Sequence, residues 1–295
     1  MKESLHSLKM SVKRGMSDSL TSQVFPVQIP LPPDEKIGWK PYPIFHGSTA
    51  ILQSLSCHVS VLTRGHSPHP PHTHNEEEIL LLLTGEVNLI IQDDQAIDGV
   101  RRKRMKPGQF VYYPIKLAHT IETVSEEPAN YLMLKWFAEP EDFGSALPLK
   151  QHDAVSPDEK TVNADEFRTY LVFEGPTAYL RRLQCHTSTL MPNGGYDPHV
   201  DTYDVAIIVL EGEIETLGER VVPHGVVIYP AGEPHGLRNP GEMAAKYIVF
   251  EFHGNKAAPA VSFFVRLLIR FFKLIVPKRI QGKIRHLLGW LSKSL

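Results

Sequence analysis

The most constraining feature of this 295-residue chain is a series of four segments that occurs twice, in the same order. The recurring pairs are SCHVSVL (56–62) with QCHTSTL (184–190), ILLLLTGEVNLI (79–90) with AIIVLEGEIETL (206–217), GQFVYYP (108–114) with GVVIYP (225–230), and YLMLKWF (131–137) with KYIVFEF (246–252). The offset between the copies drifts only from about 128 to about 115 residues, which indicates a tandem duplication with one shortened loop. The sequence therefore predicts two similar domains.

Each copy has the pattern of short β-strands. CHVSVL alternates apolar and polar residues, and ILLLLTGEVNLII is a nearly continuous apolar run of the kind found in buried strands. Glycine and proline separate the runs, and neither copy shows a helical period. We therefore expect an all-β fold of two tandem jelly-roll barrels, followed by C-terminal amphipathic helices.

The composition suggests where the domains begin and end. Residues 138 to 168 are polar and proline-bearing, as linkers are, and the first 35 residues lack strand periodicity. The predicted organisation is an N-terminal arm at 1–35, barrel 1 at 36–140, a linker at 141–168, barrel 2 at 169–254 and a basic amphipathic tail at 255–295.

Composition also favours an intracellular protein. Cys57 and Cys185 are the two cysteines, too few for a disulfide framework, and the N-terminus lacks the apolar core of a signal peptide. No stretch reaches about 18 uninterrupted apolar residues, so a membrane-spanning helix is not expected. We expect a cytoplasmic protein.

One cluster in the first copy carries metal-binding chemistry. His72 and His74 are two residues apart, so both side chains face one side of an extended chain, and Glu78 keeps the same parity. If the segment that contains GQFVYYP returns antiparallel, His119 reaches the same face. Three imidazoles and one carboxylate suit a divalent transition metal and leave coordination positions open.

At this point the sequence resembles the cupin family. The first cupin motif is a glycine, a His-x-His pair, a glutamate and a further glycine. Its counterparts here are Gly65, His72, His74, Glu78 and Gly85, with one additional residue between Gly65 and His72.

The second cupin motif, a glycine, a proline and a histidine, is matched by Gly108, Pro114 and His119. Lys116 stands where the family usually has glycine and Thr123 where it usually has asparagine, and neither position is a ligand. With the repeat, residues 40 to 253 resemble a bicupin. The resemblance implies a single divalent metal, with iron, manganese, nickel, copper and zinc all acceptable.

The second copy has an altered ligand set. PHVDTYD stands where the first copy has PHTHNEEE, so we align His199 with His72, Asp201 with His74 and Asp204 with Glu78, and His235 belongs to the second motif. These four residues predict a possible second metal site. A pocket for an organic ligand and a purely structural half remain open as alternatives.

The positions of other polar residues near the clusters remain open between two interpretations. Glu76 and Glu77 are expected to face solvent or a neighbouring strand. Tyr112, Tyr113 and Tyr229 either line a cavity as substrate donors or belong to the core.

The C-terminal tail is basic, whereas the rest of the chain is acidic. Residues up to Glu251 carry all 33 acidic residues against 22 basic ones, whereas nine basic and no acidic residues follow. The predicted membrane-binding residues, on two amphipathic helices, are Arg266, Arg270, Lys273, Lys278, Arg279, Lys283, Arg285 and Trp290. We expect the tail to bind the anionic inner surface of the membrane. The alternatives are that the tail is buried in a groove of a barrel or mediates a homodimer.

Together these features predict a metal-dependent bicupin enzyme for a small organic or carbohydrate-type substrate, at the membrane surface, by Lewis-acid chemistry of the isomerase, epimerase or hydrolase type. The catalytic residues are not predicted. An iron-dependent dioxygenase and a non-catalytic ligand-binding or sensor protein are the alternatives. Nucleic acid is not expected as a partner.

Overall fold

A computed structural model describes residues 19–32, 37–154 and 167–255, and in these ranges the chain forms β-strands and no helix. None of the described segments is therefore a helix long and apolar enough to cross a membrane. The predicted amphipathic helices and all eight predicted membrane-binding residues lie in 256–295, outside the described residues.

The strands follow the repeat that the sequence predicts. Those of the first half are β1 (Gln23–Phe25), β2 (Trp39–Gly47), β3 (Ser54–Leu62), β4 (Glu77–Thr84), β5 (Val87–Gln92), β6 (Val100–Met105), β7 (Gln109–Tyr113), β8 (His119–Thr123) and β9 (Ala129–Phe137). Those of the second half are β10 (Lys150–Asp153), β11 (Phe167–Gly175), β12 (Arg182–Leu190), β13 (Gly195–Val200), β14 (Asp204–Glu211), β15 (Ile214–Thr216), β16 (Glu219–Val221), β17 (Val226–Tyr229), β18 (Pro234–Arg238) and β19 (Ala245–His253).

Each half combines a six-stranded sheet with a smaller one. The large sheets have the orders β10-β7-β4-β9-β3-β2 and β1-β17-β14-β19-β12-β11, and the named strands within each pair antiparallel. The small sheets are β6-β5-β8 in the first half and β13-β18-β15-β16 in the second. The predicted all-β fold is confirmed for the described residues.

Two short strands cross between the halves. β1, which precedes the first barrel, pairs with β17 of the second, and β10, which precedes the second barrel, pairs with β7 of the first. β1 lies in the predicted N-terminal arm and β10 in the predicted linker, so both segments contribute strands to the sheets. Each large sheet is thus extended by the strand that precedes the other barrel.

An apolar layer joins the large sheets. The rings of Phe110 and Phe250 lie 5.7 Å apart, and those of Trp136 and Phe252 lie 5.2 Å apart, each pair edge to face across the two halves. All four are completely buried in one cluster shared by both halves. Separate apolar clusters fill the inside of each barrel. The two barrels therefore share a core and pack directly against each other.

Within this layer, a buried carboxylate of the first half accepts hydrogen bonds from both halves. Glu77 is fully buried and accepts hydrogen bonds from Tyr112 Oη (2.9 Å), Trp136 Nε1 (2.8 Å), Thr177 Oγ1 (2.8 Å) and the backbone N–H of Ala178 (2.9 Å). The last two donors belong to the second half. Burial raises the pKa of Glu77, and the four donors oppose that rise by stabilising the carboxylate.

The second half has a similar buried acid, which accepts a hydrogen bond from the first half. Asp204 is fully buried and accepts hydrogen bonds from Thr49 Oγ1 (2.5 Å), in the first half, and from the backbone N–H of Ala231 (2.8 Å). Thr49 and Thr177 each cap a turn of the same kind, since their hydroxyls accept from Leu52 N (2.8 Å) and Leu180 N (3.1 Å) respectively. Each barrel therefore presents a threonine to the buried acid of the other.

Replacing Glu77 with glutamine is expected to destabilise the fold. The amide directs an N–H₂ donor at groups that are themselves donors, so we expect a loss of about 1–3 kcal/mol in the free energy of unfolding. Urea unfolding of the metal-free protein measures this. Glu126→Gln, at an exposed surface ion pair with Arg64, is the matched control and should change stability by less than about 0.5 kcal/mol. Equal losses in the two variants would contradict a structural role for Glu77.

Candidate metal centre

The alternation of side chains along a strand determines which residues of the first cluster face the inside of the barrel. Glu77 and Glu78 are neighbours at the start of β4, so their side chains point to opposite faces: Glu77 towards the other barrel and Glu78 into its own. In the sheet, Glu78 is opposite Tyr113 on one side and Lys135 on the other. His119 is the first residue of β8, which supplies it from the facing small sheet.

Three of the predicted ligands converge on this face. His119 Nε2 lies 3.0 Å from Glu78 Oε2, and His74 Nε2 lies 3.3 Å from Glu78 Oε1. One ligand atom from each of the three residues lies within 4.8 Å of the others. Glu78 and His119 are buried and His74 is half-buried. The distances are short enough for one ion to bind all three residues.

His72 lies beside this group and outside it. Its ring centroid is 5.4 Å from that of His74 and 6.2 Å from that of His119, and the side chain is exposed. The backbone is well placed, because His72 and His119 exchange N–H···O contacts of 3.4 and 3.3 Å. The ring also meets His69 edge to face at 3.9 Å. His72 is therefore a candidate fourth ligand at the open rim.

The backbone fixes the histidine tautomers. His74 Nδ1 donates to the carbonyl of Glu76 (2.9 Å), and His119 Nδ1 donates to the carbonyl of Leu117 (2.9 Å). A ring nitrogen that donates carries the proton, so each Nε2 presents its lone pair towards Glu78. This is the orientation that metal-binding histidines require.

One contact tests whether these residues fit a metal. His74 Nε2 is buried and has no hydrogen-bond partner among the described residues, yet it faces Glu78 Oε1 at 3.3 Å. A nitrogen lone pair and a carboxylate oxygen repel each other unless a proton or a cation lies between them. The donor set and this buried contact therefore fit a divalent cation.

The electrostatics keep Glu78 charged. Burial opposes its ionisation, but the neighbouring His119 and His74 rings and the charge of Lys135 hold the pKa of Glu78 well below its usual value. The same contact with Glu78 raises the pKa of His74. A carboxylate that stays ionised while buried is a strong ligand for a cation.

The second barrel holds a similar but smaller group. Asp201 Oδ2 lies 3.3 Å from both His199 Nε2 and His235 Nε2, and these atoms also lie within 4.8 Å of one another. His199 and His235 are opposite each other on β13 and β18. His199 is exposed and His235 buried. Burial opposes ionisation of Asp201, but His235 and His199 lower its pKa.

The structure does not bring Asp204 to this group. Asp204 is opposite Phe252 in the sheet, as Glu77 is opposite Trp136, so it occupies the position of Glu77. Val205 stands at the position of Glu78. Asp204 was aligned with Glu78 as the nearest acidic residue, although it lies one residue further from Gly212 than Glu78 lies from Gly85. In a strand, a difference of one residue exchanges the two faces. Burial raises the pKa of Asp204 to about 6.

The tyrosines support the histidines from the core. Tyr113 stacks on His119 with centroids 3.9 Å apart, and Tyr229 stacks on His235 at 4.2 Å. Both tyrosines are fully buried, and Tyr112 binds Glu77. Of the two readings of these residues, the core reading fits their positions.

Sequence reasoning missed Lys135. Its Nζ contacts Glu78 Oε1, the oxygen that faces His74. The signal was a single charged residue in the otherwise apolar stretch YLMLKWF. Glu77 was also missed as an interface residue, since EEE at 76–78 gives no sign that one member is buried between barrels.

Comparison with known proteins agrees with this architecture. Residues 58–135 match the family described as the cupin domain, and this range contains all four predicted ligands of the first barrel. No curated protein matches the chain. The family match thus concerns the first barrel.

Solved structures share the fold across both halves. A cupin 2 conserved barrel domain protein from Leptotrichia buccalis is 12% identical, with coverage of 72% of this chain and 88% of that one and a TM-score of 0.50. A variant of Bacillus subtilis oxalate decarboxylase is 14% identical (88% and 85%, TM-score 0.53). A variant of salicylate 1,2-dioxygenase from Pseudoaminobacter salicylatoxidans is 13% identical (67% and 71%, TM-score 0.53). At these identities the likeness concerns the fold.

Glu78→Gln is expected to remove metal binding from the first barrel. The amide keeps the shape of the side chain but loses the charge, and we expect the affinity for Mn²⁺ or Co²⁺ to fall by more than about a hundredfold. Equilibrium dialysis with elemental analysis measures it. Glu76→Gln changes a neighbouring, more exposed carboxylate and serves as the control. Unchanged affinity in Glu78→Gln would exclude this residue as a ligand.

Proposed function

We propose that this protein is a metal-dependent cupin enzyme that converts a small organic substrate at a divalent metal in the first barrel. His74, Glu78 and His119 would hold the ion, with His72 as the fourth ligand. A metal bound there would supply Lewis-acid or oxygen-binding chemistry. The observation that carries the proposal is the buried, unpartnered Nε2 of His74, which faces a charged carboxylate.

The accessibility of the ligands supports a catalytic site over a closed structural one. Glu78 and His119 form a buried floor, whereas His74 is half-buried and His72 is exposed. The His72 side is therefore the side on which the site faces solvent. Structural metal sites, by contrast, have all positions filled by protein.

The first barrel is the better candidate for the reaction. It combines a buried glutamate with three histidines, whereas the second barrel has Val205 at the equivalent of Glu78 and keeps two histidines and Asp201. We assign the second barrel a structural role, with its His199, Asp201 and His235 group as a secondary metal site.

A second candidate function is an iron-dependent dioxygenase. Two histidines and one carboxylate are the set found in many non-haem iron oxygenases, and both groups in this protein have that composition. A metal-dependent isomerase, epimerase or hydrolase uses the same ligands without oxygen. The donor set alone is compatible with both classes.

Turnover by the reconstituted protein tests the proposal. Protein stripped of metal and loaded separately with Fe²⁺, Mn²⁺, Co²⁺, Ni²⁺, Cu²⁺ and Zn²⁺ is incubated with a panel of small organic acids, phenols and sugars, and products are identified by mass spectrometry. We expect metal-dependent conversion in wild type and at least about a hundredfold less in His119→Ala.

Oxygen uptake separates the two candidates, because a dioxygenase consumes one O₂ per product and a Lewis-acid enzyme consumes none. His224→Ala, a half-buried histidine of the second barrel outside both metal groups, is the control. Metal binding without conversion of any panel member would favour the non-catalytic ligand-binding alternative.

We further propose that the segment 256–295 holds the enzyme at an anionic membrane surface on the cytoplasmic side. Its nine basic residues, its lack of acidic residues and its many apolar residues support this, at about 1 kcal/mol per basic residue near the surface. A membrane location would favour a lipid-linked or cell-surface carbohydrate intermediate as substrate.

Sedimentation with liposomes tests this location. We expect the full chain to sediment with phosphatidylserine-containing vesicles and less at high salt, because salt screens the attraction. The chain ended at Gly254 should stay in the supernatant. Equal sedimentation of both forms would contradict the proposal, and a homodimer that is lost on truncation would favour the alternative role of the segment.

A further inference from the structure

We propose that Lys135 makes the first-barrel site selective for anionic substrates, by binding a substrate carboxylate beside the metal. This inference rests on the proposed function and names the substrate class for the same site. It begins with one contact: the Lys135 ammonium group meets Glu78 Oε1, which is also the oxygen that faces His74 Nε2.

The position of Lys135 is unusual for a lysine. It lies in β9, where the other residues from Ala129 to Trp136 are buried, and 30% of its side chain is exposed. Its Cα is directly opposite that of Glu78, so the strand register itself brings the charge to the site. Removing an ammonium group from water is unfavourable unless an anion compensates for it. Glu78 is that anion in this structure.

A bound metal would change the partner of Lys135. A carboxylate oxygen has two lone pairs, so the ion and the ammonium can share Glu78 Oε1. The single negative charge of Glu78 then faces a divalent ion and an ammonium, which leaves two positive charges uncompensated in a half-buried site. Glu76 approaches the other nitrogen of His74, at 3.7 Å, but it is exposed and solvent screens it.

That excess charge specifies the ligand. A substrate carboxylate can bind the metal through one oxygen and the Lys135 ammonium through the other, and its charge offsets half of the excess. A neutral molecule of the same shape gains the metal contact alone. The site therefore favours small organic acids and acidic sugars over neutral sugars and alcohols.

The second barrel provides an internal contrast. Its residue at the Lys135 position is Glu251, two positions before the end of β19, and it binds His253 Nε2 at 2.8 Å. Val205 replaces Glu78 as its neighbour across the strands. The charge at this position is reversed between the copies, so anion binding is a property of the first barrel.

The test compares a carboxylate with its neutral counterpart. The full-length protein is loaded with Mn²⁺, and binding of propionate and propionamide is measured by isothermal titration calorimetry. We expect Lys135→Met to weaken propionate binding by about tenfold or more and to leave propionamide binding unchanged. Lys135→Arg should retain most of the affinity. Lys103→Met, at an exposed lysine of β6, is the matched control.

A second readout needs no organic ligand. Lys135→Met removes a positive charge that repels a bound ion across Glu78 Oε1, so the affinity for Mn²⁺ alone should stay equal or rise, whereas loss of a purely structural residue should lower it. Thermal unfolding checks that each variant is folded, and Lys135→Gln replaces Lys135→Met if the latter is not.

The outcomes separate the two proposals. Failure of the wild-type protein to bind Mn²⁺ would overturn the proposed function and this inference with it. Normal Mn²⁺ binding with equal propionate affinity in wild type, Lys135→Met and Lys103→Met would overturn the inference alone. Parallel losses for propionate and propionamide would also overturn it, because they show a general disturbance of the site.

Discussion

The two-residue period of β4 determines both how the barrels associate and where the metal ligands meet. Glu77 and Glu78 are adjacent, yet one lies in the layer between the barrels with four hydrogen-bond donors around it and the other lies among the histidines. Any shift that moves one carboxylate moves the other. Interface packing and site geometry are therefore coupled through a single strand.

Each half of the duplicated chain supplies a threonine and a short strand to the other half. Thr177 binds the buried acid of the first barrel and Thr49 that of the second, while β10 and β1 extend the opposite sheets. Asp204 is thus the counterpart of the interface residue Glu77, which explains why an acid is retained there although the second barrel has lost its ligand glutamate. The second half keeps the buried acid and a threonine donor from the opposite half, but Ile228 and Phe252 stand where the first half has the donors Tyr112 and Trp136.

The local features of the sequence predicted most of the fold and of the first site. The repeat and the strand patterns gave the two all-β units, and the parity of His74 and Glu78 put them on one face. The long-range features were not predictable, since β1 and β10 are too short to show a period. The face of Asp204 was mispredicted because an acid was preferred at the position of Glu78, although the spacing to Gly212 puts Val205 there and the pairing with β19 agrees. The role of Lys135 likewise depends on a partner across the sheet.

The exchange of β1 and β10 bears on how the chain acquires its structure. Gln23 pairs with Ile228, so β1 finds its place only after more than two hundred further residues have been added. β10, by contrast, follows the first barrel closely and can complete that sheet much earlier. Contacts as distant in sequence as those of β1 slow folding and leave sheet edges open in the meantime. Completion of the second large sheet is therefore a late event that needs a strand from the other half.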